Sequence, residues 1–189
     1  MLWQIYASED TSVTVAADAG VTGAPTGTFT MTAGEVREFY ASGTQAAPGD
    51  LFISSVEPIG VMQYMTGASN ANANGVGDPA MVYTSPTQQF LPRYVVLVPG
   101  TWVNDVLIIT RPAGVGVLLD DVQIPDGEFV SVAGSGYEVT RKIVADGVHT
   151  LRSADESSGL GVVVVGWDMY DSYAYIGGMG MGAINPIIE

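Results

Sequence analysis

Strand-like segments follow one another roughly every ten residues along this chain, and no stretch sustains a 3.6-residue apolar period capped at both ends. The segments span 3–8, 12–17, 27–32, 36–41, 51–56, 59–65, 94–98, 106–110, 116–120, 129–133, 137–144, 147–153 and 160–169. Turn residues separate them, among them Ala33-Gly34, Pro48-Gly49-Asp50, Pro125-Asp126-Gly127 and Asp146-Gly147. The balance of 25 Val against 9 Leu, with 15 Thr and 24 Gly, suits the same architecture. Branched side chains pack well on a pleat, and Gly reaches turn conformations at little steric cost. Many short strands at even spacing predict an all-β chain of β-sandwich type, with minimal helix.

Charge and hydropathy remove several functional classes. A chain of 189 residues that is 47% hydrophobic can bury a core, so disorder is excluded despite a net charge of -14. With 6 basic side chains against 20 acidic ones, phosphate neutralisation has no source, which excludes nucleic acid, and anionic membrane surfaces repel the chain. The main apolar run, 160–167, falls far short of the roughly 18 residues of a membrane span. The opening Met1-Leu2-Trp3-Gln4-Ile5-Tyr6 carries no basic n-region, so no signal peptide is expected there. The absence of Cys removes disulfides, Cys-ligated zinc and thiol catalysis together.

Residues 66–77 interrupt the strand rhythm. Their alternating Ala and Asn offer little to bury and read as an exposed loop, followed at Gly77-Asp78-Pro79 by the entry to a strand-like Met81-Val82-Tyr83. The organisation expected is a first sandwich half over 1–67, a connecting loop over 68–93 and a second half over 94–189. Three pairs of segments argue that the halves are similar and arose by internal duplication. Asp10 to Val15 parallels Asp105 to Ile109, Thr32 to Val36 parallels Pro125 to Phe129, and Ile59 to Tyr64 parallels Leu160 to Val165.

Few residues offer chemistry. His149 is the only histidine, and no Gly-x-Ser-x-Gly elbow accompanies it, so it reads as a strand residue rather than part of a hydrolase triad. Gly177 to Gly182 opens no helix and reads as backbone packing, not a phosphate cradle. Acidic residues in a β-rich chain mostly occupy turns and solvated faces, so no catalytic residue is assigned and the chain is expected not to be an enzyme. No cofactor is expected beyond calcium, which takes hard oxygen ligands; its best local cluster is Asp120 and Asp121, joined by Asp126. No EF-hand spacing is present, so a structural turn role is favoured for those residues over a metal site. The stretch from Trp167 to Tyr175 concentrates rings and carboxylates. Asp171, Tyr173, Tyr175 and Trp167 could form a ligand platform, since rings supply flat apolar area and carboxylates accept hydrogen bonds. The other reading turns alternate rings into the core.

A family resemblance runs through these residues. Ala7-Ser8-Glu9-Asp10-Thr11-Ser12-Val13-Thr14-Val15, Ala33-Gly34-Glu35-Val36, Gly77-Asp78-Pro79-Ala80-Met81, Tyr94 with Leu97-Val98-Pro99 and Val103-Asn104, Gly147-Val148-His149, and Asp171 to Gly180 occur in an order that resembles the N-terminal domain of IgGFc-binding proteins. The resemblance covers nearly the whole chain. It implies an extracellular or cell-surface β-rich domain with no enzymatic activity to carry over, and the lack of Cys departs from the animal members toward a bacterial surface protein. The function expected is a non-enzymatic binding or adhesion module of a secreted or cell-surface protein, with an extracellular protein or glycan as partner. The alternative is a structural subunit of an extracellular fibre or sheath, self-associating through β-strand edges.

Overall fold

The computed structural model describes residues 1–44, 48–69 and 75–181. It is all-β: the described residues contain sixteen strands and two 3-10 turns, Thr87–Gln89 and Asp126–Glu128, and no α-helix. No helix among them is long and apolar enough to cross a membrane.

The first sandwich is built from β1 (Leu2–Ala7), β2 (Thr11–Ala17), β3 (Gly27–Met31), β4 (Val36–Tyr40), β5 (Leu51–Ser55), β6 (Ile59–Tyr64) and β7 (Met81–Tyr83). Its two antiparallel sheets have the orders β4-β1-β6-β7 and β3-β2-β5. The period-2 alternation of each strand sends one set of side chains inward. Ile5 and Ala7 from one sheet meet Val13, Val15 and Met31 from the other, with Trp3, Ala41 and Val61 extending the core.

The second sandwich comprises β8 (Arg93–Val98), β9 (Asn104–Pro112), β10 (Val117–Leu119), β11 (Val122–Gln123), β12 (Val130–Ser131), β13 (Tyr137–Ile143), β14 (Gly147–Ser153), β15 (Gly161–Asp168) and β16 (Asp171–Ile176). Its sheets run β11-β10-β14-β8 and β12-β13-β9-β15-β16. Tyr94, Val96, Val98, Val117 and Leu151 face Leu107, Ile109, Val162 and Val164 across the core. Phe90 closes one end on a glycine seat: a Cβ on Gly161 would stand 2.4 Å from its ring, and one on Gly159 would stand 2.6 Å from its carbonyl oxygen. Gly177 lies against Tyr94 and Val162 in the same close-packed way, while Gly182 is outside the described residues.

Each of the thirteen expected segments contains a strand, the strand-like Met81-Val82-Tyr83 is β7, and β11 and β16 are additions. The pairing order repeats between the halves. β1 pairs β4 while β2 pairs β3 and β5; β8 pairs β14 while β9 pairs β13 and β15. The last strands differ, since β6 joins the sheet of β1 and β16 folds back on β15. Two of the three sequence matches that argued for similar halves do not fall on equivalent places. Thr32 to Val36 is the β3–β4 turn, whereas Pro125 to Phe129 lies in an insertion carrying β10, β11 and β12; Ile59 to Tyr64 is β6, whereas β15 pairs as β5 does. Short β patterns are set by alternation and turn chemistry, which unrelated strands share, so local likeness did not mark equivalence.

The connecting segment supplies β7, the fourth strand of the first sheet; the Asn-rich stretch at 70–74 lies outside the described residues. Around it the halves are fastened together. Val76 bridges Met169, the Gly77 N–H donates to the Asp168 carbonyl, and the Asp78 N–H donates to Ser172 Oγ at 2.9 Å. Arg141 forks onto Asp50 at 2.6 and 3.0 Å, and Gly134 approaches Ala16 so closely that a Cβ would stand 2.7 Å from its methyl group.

Candidate functional site

The C-terminal aromatic stretch is divided by the sheet it belongs to. Tyr173 and Tyr175, two apart on β16, lie on one face and stack with ring centroids 6.2 Å apart. Both pack against the second core, and Trp102 lies over Tyr173 at 4.6 Å. The Tyr173 hydroxyl donates to Asp105 Oδ1 at 2.6 Å. Tyr173 stands opposite Gly166 in the β15–β16 ladder, where a Cβ would fall 2.1 Å from the ring, so the glycine is what admits it. Burial, then the Asp105 carboxylate, hold the Tyr173 phenol well above its ordinary value. The Tyr175 hydroxyl donates to the Leu97 carbonyl and accepts from the Leu97 N–H at 3.1 Å, capping the free edge of β8. Trp167 alternates to the opposite face of the sheet, and Asp171 opens β16 opposite Asp168, its Oδ1 accepting from the Ser172 N–H. Two of the four residues are therefore brought together, with their hydroxyls turned to the protein.

Asp120 and Asp121 form the two-residue turn between β10 and β11, with φ of +49° and +64°. That left-handed pair is the backbone a tight hairpin needs. Asp120 Oδ1 accepts the Thr150 N–H at 2.8 Å, and its Oδ2 lies 2.6 Å from His149 Nδ1. Asp121 pairs with Arg152, while Asp126 pairs with the buried Arg111. Each carboxylate already has a partner, and among the described residues no group of three or more His, Asp or Glu side chains converges on one point.

His149 completes a clip between two turns, because its Nε2 lies 2.7 Å from the Ala145 carbonyl. Partial burial pulls the imidazole down, but the Ala145 carbonyl and the Asp120 carboxylate outweigh it and leave it above the ordinary histidine value. Burial pushes Asp120 up, and the Thr150 N–H and His149 outweigh that, leaving its carboxyl below the usual range.

The surface that sequence reading missed is the outer face of the β4-β1-β6-β7 sheet. Trp3, Ile5, Phe39, Val61 and Val82 point to the core, so their alternates point to solvent. The cross-strand register aligns those alternates into rows. One row is Tyr40, Leu2, Tyr64, Met81; the next is Glu38, Gln4, Met62, Tyr83; the third is Val36, Tyr6, Gly60. Exposure remains high for bulky side chains: 64% for Tyr40, 57% for Met81, 52% for Val36 and 47% for Tyr6. A polar chain runs through the middle. The Tyr64 hydroxyl donates to Gln4 Oε1 at 2.6 Å, and Gln4 Nε2 donates in turn to Glu38 Oε1. At one end of the face a concavity of about 390 Å³ is lined by Leu2, Tyr40, Tyr64, Met65 and Pro79. Solvent-facing Tyr and Met around a fixed polar centre form an amphipathic contact surface of the composition found in protein interfaces.

The profile of a family described as "IgGFc binding protein" matches residues 1–166. No curated protein matches the chain. One solved structure, described as an anti-sigma factor domain-containing protein, aligns with 12% identity over 90% of this chain and 79% of that one. The TM-score of that alignment is 0.23.

Proposed function

The chain belongs to the IgGFc-binding protein family, and on that premise we propose that it is a non-enzymatic binding module of a secreted or cell-surface protein. It docks an extracellular protein through the outer face of the β4-β1-β6-β7 sheet. The observation that carries this reading is the row structure of that face, where exposed Tyr6, Tyr40 and Met81 and half-buried Met62 and Tyr83 surround a hydrogen-bonded Tyr64-Gln4-Glu38 centre. The C-terminal aromatic stretch serves instead to close the second sandwich. Against assembly through strand edges stands the Tyr175 hydroxyl, which occupies the outward N–H and carbonyl of Leu97 on the β8 edge.

The test is an array of purified extracellular proteins, immunoglobulin G Fc among them, probed with the chain and with a Tyr6→Ala, Tyr40→Ala, Tyr83→Ala variant. At least one protein should bind the parent and lose the variant at unchanged melting temperature. Equal binding by both would place the contact elsewhere, and binding confined to a parallel glycan array would replace protein by glycan.

A further inference from the structure

The centre of the tyrosine face presents a carboxylate that the chain leaves without a cation. Glu38 is exposed, its Oε1 takes the Gln4 amide, and among the described residues no donor reaches its Oε2. The six basic side chains are all engaged elsewhere. Arg37 pairs with Glu35, Arg93 with Glu156, and Arg111 with Asp126 and Glu138. Arg141 pairs with Asp50, Lys142 with Glu128, and Arg152 with Asp121. The Met1 ammonium is bonded to the Ala41 carbonyl at 3.1 Å. Glu38 is therefore free to pair with a cation brought by a partner.

Building on the protein-binding reading above, we infer that this face docks an extracellular protein through an arginine whose guanidinium pairs with Glu38 and lies along the Tyr40 ring. Glu38 and Tyr40 are two apart on β4 and share the outer face, about 7 Å from each other along the strand. A guanidinium bonded to the carboxylate thus comes within the roughly 6 Å of a ring centroid at which cation–π attraction operates. Arginine fits better than lysine, because its planar fork holds a carboxylate and covers an aromatic face at once. The Tyr64-Gln4-Glu38 chain fixes the acceptor beforehand, which lowers the ordering cost of docking. Charge complementarity works at long range too, since a net charge of -14 steers a basic patch toward this molecule. A neutral glycan would use the rings and leave the Glu38 charge without a counter-ion.

The probe is a library of displayed cyclic peptides selected on the intact chain. Enriched peptides should carry an arginine beside apolar residues. Glu38→Gln, which keeps the Gln4 hydrogen bond, should weaken their binding at least about tenfold, as should arginine-to-citrulline replacement in the peptide, and the two changes together should cost little more than either. Glu9→Gln, an exposed carboxylate of the β1–β2 turn, is the charge-matched control and should leave binding unchanged. Peptides enriched without arginine, or equal weakening by Glu9→Gln and Glu38→Gln, would overturn the assignment. If binding is lost in the triple tyrosine variant yet survives Glu38→Gln, the docking face stands and the arginine anchor falls. If it survives both, the docking face falls as well.

Discussion

Replacing Tyr173 with Phe removes one oxygen atom and leaves the ring, its stacking and its seat on Gly166 in place. The energetic consequence depends on what that oxygen serves. Asp105 is 3% exposed, and the Tyr173 hydroxyl is the one side-chain donor to its carboxylate among the described residues. Deleting the donor leaves a buried carboxylate unsatisfied, and a hydrogen bond to a charged group is worth about 1.5–3 kcal/mol. Tyr175→Phe makes the same chemical change, but its partners are the backbone groups of Leu97 on an edge strand that water can reach. That cost should be the ordinary neutral value of about 0.5–1.5 kcal/mol. Urea unfolding of the parent and both variants, compared at equal slope, should therefore place Tyr173→Phe clearly below Tyr175→Phe. In an Asp105→Asn background the Tyr173→Phe cost should shrink, because the amide carries no charge to strand. Equal costs for the two substitutions, or no change in the Asn background, would refute the view that Tyr173 exists to satisfy Asp105.

Other outcomes follow from the same structure. Arg111 is 1% exposed, bonded to Glu138, Asp126 and the Val115 carbonyl, and stacked 3.6 Å over Phe129. Arg111→Ala strands Glu138 and unfastens the inserted β10–β12 segment, and should cost about 3–5 kcal/mol in chemical denaturation. For His149 the raised folded value means that its contribution is complete below about pH 6.5 and is lost as pH rises through that raised value. Asp120, held low, keeps its contribution until pH falls through its depressed value in acid. Melting temperature should consequently decline from mildly acidic toward alkaline pH, and His149→Gln should flatten that slope; parallel curves would count against the clip. Chelation should leave the melting temperature unchanged, since Asp120 and Asp121 are committed to His149, Thr150 and Arg152; a clear fall would restore them as calcium ligands.

Strand positions were legible in the sequence because they rest on local physics. Alternation of apolar residues, branched side chains and turn residues act within a few positions of one another, and so every expected segment holds a strand. The Asp120-Asp121 turn was readable for the same reason. In the C-terminal stretch, alternation placed Tyr173 and Tyr175 on one side but could not say whether that side faced the core, and only the β15–β16 register, which pairs Trp167 with Ser172, set Trp167 on the other face.

That ambiguity explains the missed surface. In β1 both alternating sets are apolar or aromatic, Trp3-Ile5-Ala7 on one side and Leu2 with Tyr6 around Gln4 on the other. Nothing within the strand tells which set will be covered. The choice was made when β2 and β5 packed against one face, and the tyrosine rows came into being only when β4, β1, β6 and β7 paired in register from segments as much as 79 positions apart, Leu2 at one end and Met81 beyond Tyr64 at the other. The amino-acid sequence by itself determined an acidic all-β chain with strands at known places. Tertiary structure alone decided that Glu38 would stand among tyrosines without a cation, because cross-strand register and burial are non-local outcomes of packing.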